Sequence, residues 1–97
     1  MRVIAKKILR DFWKKYTESE QQLKTWHKEA SKANWKNPIE IKGEYAKASI
    51  LKSERVVFNI CGNKYRLIAD INYDRQWVFI RFIGTHDEYD KVDADKI

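Results

Sequence analysis

The sequence predicts an α+β fold: two N-terminal helices packed on one face of a small antiparallel sheet, with a short N-terminal strand at one edge. Three observations predict it. Apolar residues recur at helical spacing over residues 8–34, they alternate over residues 55–83, and the helical part precedes the strands rather than interleaving with them. Ninety-seven residues with 43% hydrophobic side chains provide for one core, hence one domain over 1–97.

Each element has its own justification. Met1 to Ala5 reads as a short strand. Ile8, Leu9, Phe12, Trp13 and Tyr16 then fall on one stripe, with Lys and Arg between them, which predicts an amphipathic helix. Thr17-Glu18-Ser19-Glu20 matches a capping box that stops this helix and starts a second. The second runs to about Asn34 with Leu23, Trp26, His27 and Ala30 inward, and His27 reads as a packed core or boundary residue. Asn37-Pro38 signals a further turn of helix over Pro38–Lys42, ended by Gly43, and Ala46 to Ser53 link it to the sheet.

Arg55–Cys61, Lys64–Tyr73 and Gln76–Ile83 read as three strands joined at Gly62-Asn63 and Asp74-Arg75. With two-residue loops, Asn59 faces Arg66, Phe58 faces Leu67, Asp70 faces Phe79, Ile68 faces Arg81 and Arg66 faces Ile83. Val56, Phe58, Ile60, Tyr65, Leu67, Ala69, Ile71, Val78, Ile80 and Phe82 then share the face under the helices. Arg55, Val57, Asn59, Lys64, Arg66, Asp70, Trp77, Phe79 and Arg81 share the other.

The net charge of +6 is uneven. Residues 1–37 hold ten basic and four acidic side chains, whereas residues 87–97 hold two and five. A basic body of this kind favours a polyanionic partner. The single Cys61 excludes an internal disulfide and any multi-cysteine metal site, and the two histidines lack a plausible set of metal partners, so no metal or cofactor is expected. The opening MRVIAKKILRDFWKKY lacks the uncharged run of a signal peptide, and nothing reaches membrane-spanning length. A cytoplasmic protein without membrane contact is the expectation. No P-loop is present, and Ser49 and Ser53 lack the setting of an activated nucleophile.

The basic, aromatic sheet face has the chemistry to bind a nucleic acid, although charged residues belong on the exposed face of an antiparallel sheet in any case. Arginine matches phosphate geometry and aromatic rings stack on bases, which makes Asn59, Asn63 and Trp77 candidate RNA contacts beside Lys64, Arg66 and Arg81. Beyond the last strand, Gly84-Thr85-His86-Asp87-Glu88-Tyr89-Asp90 brings His86 and Tyr89 within reach of that face. Cleaving RNA requires one group to take the 2′-hydroxyl proton, one to protonate the leaving 5′ oxygen, and cations on the phosphorane. Binding without cleavage requires no proton-transfer group. A non-catalytic RNA-binding module therefore stays open on the residues alone, as does a domain whose basic surface docks an acidic protein segment. The acidic stretch Asp87 to Asp95 reads as a flexible end or short terminal helix.

MRVIAKK, LRDFW, LKTWHKEA and ANWKNP at the front, with GNKYRL and RFIGTHDEYDK behind, resemble HigB-type toxins of the RelE-like mRNA interferase superfamily over nearly the whole chain. The resemblance implies an endoribonuclease that cuts mRNA in the ribosomal 30S A site. It implies a cognate helix-turn-helix antitoxin, and contact with operator DNA only through the toxin–antitoxin complex. Such toxins use varied basic residues plus a C-terminal Tyr or His. Arg66 of the YRL segment is the clearest match, and His86 and Tyr89 match the segment after the last strand. Lys64 and Arg81 come from face geometry instead. Arg66 and Arg81 would hold the scissile phosphate, His86 transfer a proton, Lys64 add charge, and Tyr89 orient the nucleotide or share the proton transfer.

Overall fold

The apolar stripes become buried faces. In the computed structural model, which describes residues 1–97 with the side chain of Ser53 excepted, α1 (Lys6–Lys15) buries Leu9, Phe12 and Trp13. Helix α2 (Glu20–Lys32) buries Leu23, Trp26 and Ala30. Between them the capping box is not formed. Thr17–Ser19 is a single 3₁₀ turn, Ser19 lacks a side-chain cap, and its Oγ donates back to the Tyr16 carbonyl at 2.7 Å. Helix α3 (Pro38–Glu44) starts as its sequence dictates, with Asn37 Oδ1 accepting from Glu40 N at 3.1 Å and Pro38 in the first turn. Gly43 does not end it, and the helix continues through that residue to Glu44.

Five strands form one sheet. They are β1 (Arg2–Ile4), β2 (Ser49–Ile50), β3 (Arg55–Ile60), β4 (Tyr65–Asn72) and β5 (Trp77–Thr85), in the order β1-β5-β4-β3-β2. The α+β reading is borne out, with one refinement: the sheet is mixed, because β1 runs parallel to β5, pairing Arg2 with Trp77 and Ile4 with Phe79. The two-residue β2 lies within the stretch read as a link. At the first hairpin Cys61 (φ 54°) and Gly62 (φ 68°) both adopt left-handed backbone, which reverses the chain tightly. The expected register follows, with Asn59 opposite Arg66 and Phe58 opposite Leu67.

Strand β5 departs from the expected parity halfway along. Asp70 faces Phe79 as expected, but Ala69 faces Ile80 and Ile68 faces Phe82. Arg81 is therefore an extra residue in a β-bulge, and everything after it changes face. Phe82 does not join the row under the helices, Ile83 packs against that core instead, and Arg66 faces Gly84 rather than Ile83.

The main core lies between the helices and one sheet face. Phe58 sits at its centre, with ring centroids 5.3 Å from Trp26, 6.3 Å from Trp35 and 5.2 Å from Tyr45. The opposite face is only partly open. Val57 and Ile68 are buried there, and the C-terminal segment is tied to it by Arg55, whose Nη1 donates to the Ala94 carbonyl at 2.9 Å. Among the described residues no helix is long and apolar enough to cross a membrane.

Candidate active site

Three pieces of chain meet at one end of the sheet: the β3–β4 turn, the 3₁₀ turn between α1 and α2, and the start of α4 (His86–Asp90). The capping box absent at Thr17 is present here. Thr85 Oγ1 accepts from Glu88 N at 3.1 Å, and a Glu88 carboxylate oxygen accepts from Thr85 N at 2.8 Å. The bond from Thr85 N holds the Glu88 carboxyl below its usual range. The ladder ends with His86 N donating to the Lys64 carbonyl at 3.1 Å, which seats α4 against the hairpin turn.

Gly84 makes this seating possible. A Cβ at that position would lie 2.5 Å from Phe82 Cζ and 3.2 Å from Glu88 Cβ. Gly84→Ala must push the aromatic ring or α4 aside, so its thermal midpoint is expected to fall by the equivalent of about 1–3 kcal/mol, the usual cost of overpacking. A calorimetric scan checks this, and an unchanged midpoint would show that the Phe82 ring swings clear of the new methyl group without disturbing α4.

His86 and Asp90 lie one helical turn apart, with Nδ1 3.1 Å from a carboxylate oxygen of Asp90. With Nδ1 engaged, Nε2 is the ring nitrogen left to exchange a proton with a ligand. Arg66 is oriented from both sides. Its guanidinium donates to the Asn63 carbonyl at 2.9 Å and to Asn63 Oδ1, and it lies 5.8 Å from the centre of the Tyr89 ring. Asn59 is its partner on β3.

Lys64 is paired with Glu18, whose Oε1 also accepts from the Tyr65 hydroxyl. These two donors, Lys64 first, hold the Glu18 carboxyl below its usual range. Burial, reinforced by the adjacent carboxylate, pushes the Tyr65 hydroxyl up to about 12. At neutral pH the carboxylate is charged and the phenol keeps its proton. A cleft of about 310 Å³ lies between Tyr16 and Glu18 on one side, Lys64 and Tyr65 below, and Thr85 to Asp87 on the other.

Of the residues expected from the sequence, Lys64 and His86 line this cleft, while Arg66 lies against Asn63 and Tyr89 at the same end of the sheet, with Asn59 opposite it. Lys64 does not share the face of Arg66 as expected, because Glu18 draws its ammonium toward the helices beside Tyr65. The structure does not bring Arg81 or Trp77 to this end of the sheet. Arg81 Nε donates to Asp70 at 2.6 Å, sharing that carboxylate with Arg55, and its guanidinium lies 4.9 Å from the Phe79 ring centre. At about 3.3 Å per residue its backbone is roughly 15 Å along β5 from His86. Trp77 is farther still, at the opposite end of β5, beneath Arg75 at 5.4 Å.

Asp90 and Glu18 join the site without having been expected there. Asp90 was legible, since it stands four residues after His86 at the start of a helix. Glu18 was not, because nothing local links it to the hairpin it contacts. His86, Asp87 and Asp90 also offer ligand atoms within 4.8 Å of one another, all on exposed residues, a grouping of the kind that can take a metal ion.

Comparison with known proteins agrees with the resemblance. The family model HigB_toxin, described as the RelE-like toxic component of a toxin-antitoxin system, matches residues 19–92. The mRNA interferase toxin HigB of Escherichia coli (strain K12) is 30% identical over 92 residues, covering 93% of this chain and 88% of that protein. The mRNA interferase HigB of Shigella flexneri gives the same figures. That of Escherichia coli O6:H1 is 26% identical over 94 residues, covering 95% and 91%.

Proposed function

Because the chain belongs to the HigB toxin family of RelE-like toxic components of toxin–antitoxin systems, we propose that it is a metal-independent endoribonuclease that cleaves mRNA. The observation that carries this reading is a carboxylate-oriented histidine at the same end of the sheet as two cations and a tyrosine. Binding alone requires no such group, whereas transesterification of RNA does.

Arg66, pre-set by Asn63 and Tyr89, holds the scissile phosphate and stabilises the charge that builds on it. Lys64 adds a second positive charge. His86, fixed by Asp90, transfers a proton at Nε2, to the leaving 5′ oxygen or from the 2′-hydroxyl. Tyr89 orients the nucleotide or shares the proton work, and Asn59 and Asn63 contact the RNA. Arg81 and Trp77, on the remote half of β5, have no part in the chemical step. The target is mRNA on the translating ribosome, in the 30S A site, in the bacterial cytoplasm. A cognate helix-turn-helix antitoxin neutralises the toxin, and operator DNA is met only in that complex. Family membership supports the antitoxin, and the net charge of +6 supports the RNA-rich target.

The test is expression of the wild type and His86→Ala in a bacterial host, with mRNA 5′ ends mapped after induction. Growth arrest with new in-frame cuts is expected, and both should be lost in the variant. With purified protein and ribosomes, pre-treatment of the toxin with EDTA should leave cutting intact. Persistent cuts in the variant would remove His86 from the mechanism. No arrest and no cuts from well-expressed wild type would favour the non-catalytic RNA-binding module.

A further inference from the structure

We propose that Glu18 masks a phosphate-binding position in the cleft beside His86: its carboxylate occupies the place of an RNA phosphate in the free protein and yields Lys64 and Tyr65 to that phosphate when substrate enters. The inference rests on the RNA-cleaving reading above and makes Glu18 a positioning residue acting through Lys64.

Two donors from the hairpin, the Lys64 ammonium and the Tyr65 hydroxyl, converge on one oxygen, Glu18 Oε1. An ammonium and a hydroxyl aimed at a single anionic oxygen are what a phosphate oxygen also requires. The Tyr65 donor is built in rather than incidental. Its side chain is buried, with ring centroids 5.2 Å from Phe12 and 5.6 Å from Tyr16, so the hydroxyl stays aimed at the cleft whatever anion accepts from it. The turn that carries Glu18 is equally fixed. Ser19 is fully buried and bonded to the Tyr16 carbonyl, and Gln22 Oε1 accepts from Cys61 N at 2.7 Å, stitching the start of α2 to the hairpin.

The charged ends themselves are free to exchange. Lys64 is 58% exposed and Glu18 54%, and a solvent-exposed pair of this kind is held weakly. A polyanion that already touches Arg66 can therefore displace the carboxylate at little cost. Without RNA, the same carboxylate cancels one cation of the cleft and lowers its affinity for unrelated anions. His86 lines the same cleft, so a phosphate on Lys64 and Tyr65 lies beside the proposed proton-transfer group.

The test is a binding cycle with a 2′-O-methyl RNA oligonucleotide, which lacks the attacking hydroxyl. Dissociation constants are measured by fluorescence anisotropy at several salt concentrations for wild type, E18Q, K64A and E18Q/K64A. Glu20→Gln serves as the reference for removing one acidic charge, because Glu20 pairs with Lys24 away from the cleft. E18Q is expected to bind roughly two- to fivefold more tightly than wild type, the scale set by an exposed pair. E20Q should gain less, and the E18Q gain should vanish in the K64A background. Binding no tighter in E18Q, or a gain that survives K64A, would overturn the mask. So would a hundredfold loss of single-turnover cleavage in E18Q at unchanged affinity, which would make Glu18 a proton-transfer group. Wild type that neither binds nor cuts RNA would sink the underlying reading, whereas wild type that cuts beside an E18Q of unaltered affinity sinks the mask alone.

Discussion

Arg66→Ala is expected to lower the rate of mRNA cleavage by about a hundredfold or more while leaving the fold intact. Removing one preorganised donor from a developing oxyanion typically costs a factor of 10² to 10³. Arg66 is placed for that role by Asn63 on one side and Tyr89 on the other. Those contacts are peripheral to the main core, so the thermal midpoint should move little. Arg66→Lys should recover only part of the rate, because an ammonium cannot reproduce the two-pronged grip of a guanidinium. Single-turnover cleavage by the purified toxin, with the midpoint measured in parallel, reads both effects. Full activity in Arg66→Ala would remove the centre of the proposed site.

Phe58→Ala should have the largest effect on stability, about 3–5 kcal/mol, the cost of truncating a fully buried aromatic residue. Phe58 is 1% exposed and touches rings from three separate pieces of chain: Trp26 on α2, Trp35 before α3 and Tyr45 after it. The cavity would open where the helical layer meets β3. Against a typical total of about 5–15 kcal/mol, this loss would leave the protein marginal. Urea titration followed by tryptophan fluorescence measures it, and a loss below about 1 kcal/mol would mean that the layer closes over the gap.

What the sequence disclosed depended on how local the cause was. The β3–β4 register follows from the Gly62-Asn63 turn and the two facing apolar rows, which by themselves set Asn59 opposite Arg66. The start of α3 was equally plain in Asn37-Pro38. The Thr17 capping box had the right spelling and did not form, because the chain there takes a 3₁₀ turn with Ser19 folded inward. The Arg81 bulge left no mark, since an arginine suits an exposed strand position either way. Phe82 was consequently placed on the wrong face. The candidate site was legible where its members lie close in sequence, as in Asn63-Lys64 and Arg66, or His86 and Tyr89. Glu18 reaches Lys64 from 46 residues away, which only the packing of the interhelical turn against the hairpin determines.

The bulge has a consequence beyond its own geometry. It acts as a half-step in the strand's phase: upstream, β5 follows the rhythm of the core, and downstream it follows the opposite rhythm, which delivers a glycine beneath Arg66 instead of an isoleucine. Without that half-step the first turn of α4 would meet a branched side chain where Gly84 now leaves room for Phe82 and Glu88. The placement of His86 and Tyr89 therefore depends on how many residues β5 contains rather than on which residue stands at 81. Variation among related chains should accordingly be free in the side chain at this point and restricted in length.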